Sequence, residues 1–422
     1  MSRILLSVIA VGVLTFAVVG VPAADARPSA LERVFGDRPD EAVGPQIHLV
    51  YAVPSDAKDG ALDTNGTIGS WMAAFNDWFA ASTGGVRLRV DTFAGQPDVT
   101  FLKLPETDAA LAAQGGFAND LIYTELRVAG LSDPDKTYAV VEQGGNNGAC
   151  GWGGGGRPLG VLYLTAAPSG NSCASIAWQF VLGHEIFHVL GAVNSCATHY
   201  SAGHVSDLTS DLMYPYAYPG TPLLDPGHDD YYGPPGDDHL PPSCPPSANV
   251  ANSLFLTSHP FFRLSVSIKG GGAVSAPGFF VCTPALPDAC SPAVQGGIPL
   301  SLVAVPDHGF HFVAWSGGGC SGLGDCDSTL AADTTVTATF AANPTARIAI
   351  AGQGRVSAGA AGTCAKASCS LRIAYDRATT FRAIPAKHWH FVGWAGACTG
   401  TSLACRVTAK QSASVRAAFA RS

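Results

Sequence analysis

Up to residue 190 the chain alternates short apolar runs with longer segments of helical spacing. Ile47-His-Leu-Val-Tyr-Ala-Val, Val86-Arg-Leu-Arg-Val and Thr137-Tyr-Ala-Val-Val read as strands, and residues 63–82 and 107–128 read as helices. In Ser175-Ile-Ala-Trp-Gln-Phe-Val-Leu-Gly-His-Glu-Ile-Phe-His-Val-Leu-Gly the apolar positions 176, 177, 180, 181, 187 and 190 follow one helix face, and Gly191 is a natural stop. Leu159-Gly-Val-Leu-Tyr-Leu-Thr, behind the glycine loop Gly151-Trp-Gly-Gly-Gly-Gly, predicts an edge strand in front of that helix. After residue 261 the period falls to two, as in Leu264-Ser-Val-Ser-Ile and Thr334-Thr-Val-Thr-Ala-Thr-Phe, with Gly and Pro between the runs. That pattern predicts small antiparallel β-domains.

The period-two region repeats itself. Arg263-Leu-Ser-Val-Ser-Ile lines up with Arg347-Ile-Ala-Ile-Ala, Phe312-Val-Ala-Trp-Ser-Gly with Phe391-Val-Gly-Trp-Ala-Gly, and Val336-Thr-Ala-Thr-Phe with Val415-Arg-Ala-Ala-Phe. Two copies therefore fill 262–341 and 346–420. Trp315 and Trp394 fit a core position better than a glycan-stacking surface. The motifs resemble the divergent InlB-type B-repeat, which implies a spacer or attachment role without chemistry of its own.

Composition divides the chain in the same places. Of 422 residues, 47% are hydrophobic and 13% charged, too apolar for disorder and too long for one ordinary core. The net charge of −8 excludes a general nucleic-acid binder, and a monomer is expected. Residues 27–261 carry 10 Lys+Arg and 25 Asp+Glu, a net of −15, whereas 342–422 carry 11 basic residues and only Asp376, a net of +10. The basic block suits a solvated face, docking onto the acidic domain, or capture of an anionic cell-surface polymer.

Twelve Cys point to disulfides and an oxidising compartment. The expected pairs are Cys150–Cys173 and Cys196–Cys244 in the first domain, because an intact helix separates Cys173 from Cys196. In the repeats the shortest connections are Cys282–Cys290, Cys320–Cys326, Cys364–Cys369 and Cys398–Cys405. Arg3, the apolar run from Ile4 to Val21 and Ala24-Asp-Ala26 read as a secretory signal over 1–26, with an uncleaved anchor as the alternative. Residues 27–44 leave room for a short pro-region.

The chemistry lies in the third helix. His184 and His188, four apart, share one face and can reach one metal ion, with Glu185 beside them to act on water. The bland alternative is a pair of core histidines on an apolar stripe. Gly191 and the turn Ser210-Asp-Leu-Met213-Tyr argue against it by their resemblance to the metzincin zinc peptidases, whose signature is His-Glu-x-x-His-x-x-Gly-x-x-His with a later methionine turn. The third-ligand position of that signature is Asn194 here, a weak neutral donor. The replacement is expected from His199, with His204 as alternative and Asp207 as a further carboxylate.

The resemblance implies a twisted sheet with a long helix, then the zinc helix, then an irregular C-terminal subdomain. It also implies that Glu185 is the general base and acid, and that a peptide pairs with the edge strand at 159–165. Where some metzincins carry an oxyanion-stabilising tyrosine this chain has Pro215, flanked by Tyr214 and Tyr216. Asp225, Asp229, Asp230, Asp237 and Asp238 offer oxygens for Ca²⁺ without EF-hand spacing. The expectation is an α+β metzincin-like zinc peptidase domain at 27–258, secreted, acting on protein or peptide, followed by two disulfide-stapled all-β repeats. The alternative is a catalytically impaired surface-binding or adhesion protein that uses the basic last repeat.

Overall fold

The computed structural model describes residues 32–145, 149–165, 177–216 and 218–422. The predicted signal at 1–26 lies outside them. No helix among the described residues is long and apolar enough to cross a membrane.

The N-terminal domain is built on β1 (Gln46–Val53), α1 (Thr67–Thr83), β2 (Val99–Lys103), α2 (Ala118–Val128), β3 (Lys136–Gly145), β4 (Gly151–Gly153), β5 (Leu159–Thr165) and α3 (Trp178–Val189). The sheet order is β2-β1-β3-β5-β4, with β4 alone antiparallel. Both faces of the parallel strands are covered, which is why they read as unbroken apolar runs. Ile47, Leu49, Tyr51 and Val53 pack with Phe75, Phe79, Ile186 and Phe187 of α1 and α3. The alternate residues Val50 and Ala52 pack with Val140, Val161, Ile122 and Leu126 on the α2 side.

Four sequence expectations shift. The strand expected at 86–90 forms only the isolated bridges Ile47↔Val90 and Leu88↔Leu256. Its main chain is spent on a side chain instead: Asn76 of α1 donates to Leu88 O (2.9 Å) and accepts from Leu88 N–H (2.7 Å). The helix expected at 107–128 breaks at Gly115-Gly116 into Asp108–Ala112, a short 3₁₀ turn and α2. Strand 159–165 is not the edge, because β4 pairs along its outer side through Gly151↔Leu162 and Gly153↔Gly160. Residues 32–44, weighed as part of a pro-region, are built into the fold: Arg33 pairs with Asp63, Arg38 with Asp98, and Asp37 and Asp40 with the buried Lys136.

Each repeat is a pair of four-stranded sheets around a small core. The first comprises β6 (Phe261–Lys269), β7 (Gly272–Ala276), β8 (Phe280–Cys282), β9 (Ala293–Gln295), β10 (Pro299–Pro306), β11 (Phe310–Ser316), β12 (Cys326–Thr329) and β13 (Thr334–Ala342). The second runs in the same order through β14 (Thr345–Ala351), β15 (Gly354–Ser357), β16 (Thr363–Cys364), β17 (Ser368–Arg372), β18 (Ala378–Pro385), β19 (Trp389–Gly396), β20 (Ala404–Thr408) and β21 (Ala413–Arg421). The sheets are β9-β6-β13-β11 with β8-β7-β10-β12, and β17-β14-β21-β19 with β16-β15-β18-β20. The expected antiparallel pairing holds except between the first and last strand of each copy, β6 with β13 and β14 with β21, which are parallel. Trp315 and Trp394 are buried in the two cores.

Short disulfides pin the loops, joining Cys282–Cys290, Cys320–Cys326, Cys364–Cys369 and Cys398–Cys405. At the junction with the N-terminal domain the Arg89 guanidinium donates to the carbonyls of Pro45, Leu254, Leu256 and His259 at 2.6–3.2 Å, and lies over the Phe261 ring. Between the repeats His311 stacks on Tyr375 with ring centroids 3.7 Å apart, and Asn343 is held by His311 and Arg372.

Candidate metal centre

The helix α3 is fixed in place by glycines on both sides. A Cβ at Gly183 would overlap the Phe75 ring of α1, so its absence lets the two helices close together. On the other side a Cβ at Gly153 would meet the Glu185 carbonyl, and one at Gly160 would lie 3.0 Å from the same backbone. The glycines of β4 and β5 thus let the sheet edge rest directly on the helix at Glu185. The helix ends where the sequence predicts: Gly191 has φ +99°, and Ala192 N–H reaches back to Phe187 O at 2.9 Å, a Schellman-type stop.

After that stop the chain folds back under the helix. His184, His188 and His204 are each half-buried and present ring nitrogens that lie within 4.8 Å of one another. Nε2 of His184 and Nε2 of His188 are 3.0 Å apart, and the His204 ring centroid is 5.3 Å from that of His184 and 4.9 Å from that of His188. His184 Nδ1 donates to Leu212 O at 2.6 Å, which leaves its Nε2 as the free ligand atom.

The turn that supplies this carbonyl is itself buried and braced. Met213 is fully buried, its N–H donates to Asp211 Oδ1 (2.6 Å), and its carbonyl accepts from Val205 N–H (3.1 Å). One turn therefore orients His184 and anchors the strand that carries His204.

Asn194 and His199 stay outside the group. The Asn194 amide oxygen faces the Cys196 N–H at 3.4 Å. His199 is turned the other way, with its N–H on Asp230 Oδ1 (2.7 Å) and Nδ1 on Asp230 Oδ2 (3.0 Å). The cause is a tight hairpin, Tyr200–Ser201 against His204–Val205, closed by Ala202 and Gly203 at positive φ. It sends His199 to the acidic loop and His204 to the helix. Nearness to His188 along the chain carries no information about the direction of a hairpin, so the expected ligand His199 gives way to its alternative His204.

Burial sets the protonation of the group. Desolvation lowers His184 to about 4 and carries His188 well below and His204 below the usual imidazole range. All three are neutral, the form that binds a metal. Desolvation raises Glu185 well above the ordinary carboxyl range. Its carboxyl lies against Gly151 of β4, where a Cβ would overlap it. Three imidazoles from two elements, with one neutral nitrogen each, suit a tetrahedral Zn²⁺ with one position left for water or substrate.

The other expected residues fall as follows. Cys196 pairs with Cys244, tying the loop after α3 to the C-terminal subdomain, while Cys173 lies outside the described residues. Tyr214 packs against the core and Tyr216 is exposed. Of the five aspartates expected to offer oxygens for Ca²⁺, Asp225, Asp229 and Asp230 come together; Asp207, the further carboxylate of the expected ligand set, groups with His199 and Asp230 and not with the three histidines. Asp237 and Asp238 turn to His228 and Asn249. Asp225 Oδ2 accepts the N–H groups of Asp230, Tyr231 and Tyr232 at 2.6–3.2 Å, so the loop itself accounts for this carboxylate. The residues missed in the sequence are Gly151, Gly153, Gly160 and Leu212. The alternate spacing of Gly151 and Gly153 is the one signal that could have found them.

No curated protein matches the chain. A solved structure of catalytically inactive OgpA from Akkermansia muciniphila, in complex with an O-glycopeptide (glycodrosocin) substrate, aligns over 87% of this chain and 94% of that one. The identity is 11% and the TM-score 0.27, too slight a likeness to specify fold or activity. Residues 264–344 and 354–422 match the family model of the divergent InlB B-repeat domain.

Proposed function

We propose that the N-terminal domain is a secreted zinc-dependent endopeptidase held at or near a surface by its repeats. The observation that carries this reading is the convergence of His184, His188 and His204 beside Glu185, on the face of α3 that borders the sheet edge. His184, His188 and His204 would hold the ion. Zinc, when bound, acidifies water and polarises a carbonyl.

Glu185 receives the proton of the attacking water and passes it to the leaving amine. Its burial raises its proton affinity toward the range such a shuttle needs. Strand β4 supports a peptide substrate. Tyr163 N–H bonds Cys150 O (2.9 Å) and Gly154 N–H points to Leu159 O (3.4 Å), so the main-chain groups of Gly151 and Gly153 face away from β5. An extended peptide pairing there would run past Glu185.

Metal content and cleavage of an unfolded protein by the purified full chain test the reading. Glu185→Ala is expected to keep zinc and lose about 10²–10⁴-fold in turnover. His204→Ala is expected to lose both metal and activity, and His199→Ala to keep both. Activity that survives Glu185→Ala with stoichiometric zinc would overturn the mechanism, and zinc without cleavage in the unaltered chain would return the binding-protein alternative.

A further inference from the structure

The second repeat carries an arginine row that its fold does not require. On the outer face of the β16-β15-β18-β20 sheet, Arg355 stands opposite Ile384, Arg382 opposite Ser357 and Ala404, and Arg406 opposite Thr380. Measured along β18 the three fall at positions 384, 382 and 380, so they form one straight diagonal across three strands. Diagonal neighbours of this kind are roughly 7–8 Å apart. All three side chains are exposed, while Val356, Phe381 and Val407 on the opposite face fill the core.

No acid neutralises the row. Asp376 is the single acidic residue of 342–422, and it pairs with Lys410 at 3.3 Å. Among the described residues none of the three arginines makes an ion pair. The first repeat is an internal control with the same register. There Ala273 stands opposite Val305, Ser275 opposite Val303 and Ser301 opposite Asp327, so the three row positions are Ala273, Val303 and Asp327. A small residue, an apolar one and an acid serve the fold equally well at these places, which removes packing as the reason for three arginines.

We infer that the outer face of this sheet binds a linear acidic polysaccharide along the Arg355–Arg382–Arg406 row. The guanidinium is a planar fork that takes carboxylate or sulfate oxygens two at a time. The hydroxyls of Ser357, Thr380 and Thr408 lie on the same face beside the row and match a chain whose charges are separated by sugar hydroxyls. A straight row on an open sheet suits an extended polymer. The face carries no aromatic side chain on which a nucleobase could stack. The N-terminal domain, at a net −15, is repelled by the same polymer, so capture orients the chain with that domain outward.

The test is retention of the full chain on immobilised heparin at about 0.15 M salt, where long-range charge effects are screened. Arg382→Ala with Arg406→Ala is compared with Arg347→Ala plus Arg416→Ala, which removes the same charge from the outer face of the other sheet. The row variant is expected to bind roughly tenfold or more weakly, a loss of about 1.4 kcal/mol or more, and the other pair to change less than about threefold. Unchanged thermal melts of both variants show that folding is not what was lost. Equal losses in the two pairs would mean diffuse charge and overturn the proposal. Duplex DNA, polyphosphate or anionic vesicles binding the unaltered chain as tightly as heparin would overturn the assignment to polysaccharide.

Discussion

The N-terminal domain packs a five-stranded sheet between helices on both faces, and encloses an ion network centred on Lys136. Lys136 is almost wholly enclosed and donates to Asp37, Asp40 and Asp91 at 2.6–2.8 Å, while His48 bridges Asp91 and Thr100. Burial pulls the Lys136 pKa down, but the hydrogen bonds to the three aspartates outweigh it and leave the ammonium more firmly charged than in water. Each repeat has a smaller core that includes one buried Trp, and two disulfides that close loops of five to eight residues. The first region can hold a three-histidine site rigid because its packing is three-dimensional. The second is fastened locally and leaves the outer face of each sheet to solvent, which makes it available for binding.

The comparison can be broken at its strongest point first. Lys136→Met leaves three carboxylates around an uncharged side chain, and the N-terminal domain is expected to lose about 3–5 kcal/mol while the repeats keep their own calorimetric transition. A single joint transition that falls as a whole would show the two regions to be one cooperative unit. Next, Cys398→Ser with Cys405→Ser is expected to cost the second repeat about 2 kcal/mol and leave zinc content and turnover unchanged. Loss of turnover in that variant would place the repeat inside the catalytic unit.

A smaller effect separates the regions by pH. Glu142 of β3 is pushed up to about 8 by burial, ahead of the opposing Gly144 N–H hydrogen bond. A carboxyl whose folded pKa lies above its unfolded value of 4.5 contributes stability that is complete below 4.5 and is lost as pH rises toward 8. Glu142→Gln should remove that slope, leaving the variant's urea midpoint flatter than that of the unaltered chain between pH 5 and 8. Smallest of all is the exposed Asp376–Lys410 pair, for which Lys410→Ala is expected to change the melting of the second repeat by less than about 0.5 kcal/mol.

The parts legible in the sequence were those with local causes. Glycine after the histidine-bearing helix, four-residue histidine spacing and short-range cysteine pairs are set by neighbours along the chain, as are the period-two strands. What failed was decided by distant partners. Val86–Val90 looks like a strand, yet its pairing groups go to Asn76 and to residues 255–257. Strand β4, three residues of mostly glycine, has no strand signature at all, and only the close approach of Glu185 explains it. His204 is hard to rank against His199 in the sequence because the hairpin at 200–205 that reverses the chain is six residues of weak pattern.

The parallel pairing of the first and last strands gives each repeat a direction. A unit whose terminal strands are antiparallel returns the chain to the end at which it entered, whereas here β6 and β13 point the same way, as do β14 and β21. The chain therefore enters at one end and leaves at the other, advancing by about one strand of nine residues, roughly 30 Å at 3.3 Å per residue. With Asn343 and Pro344 as the whole connection, the second copy begins where the first stops. Two such strands laid end to end span on the order of 60 Å. Length would grow by one increment with every copy added and need no change in the N-terminal domain.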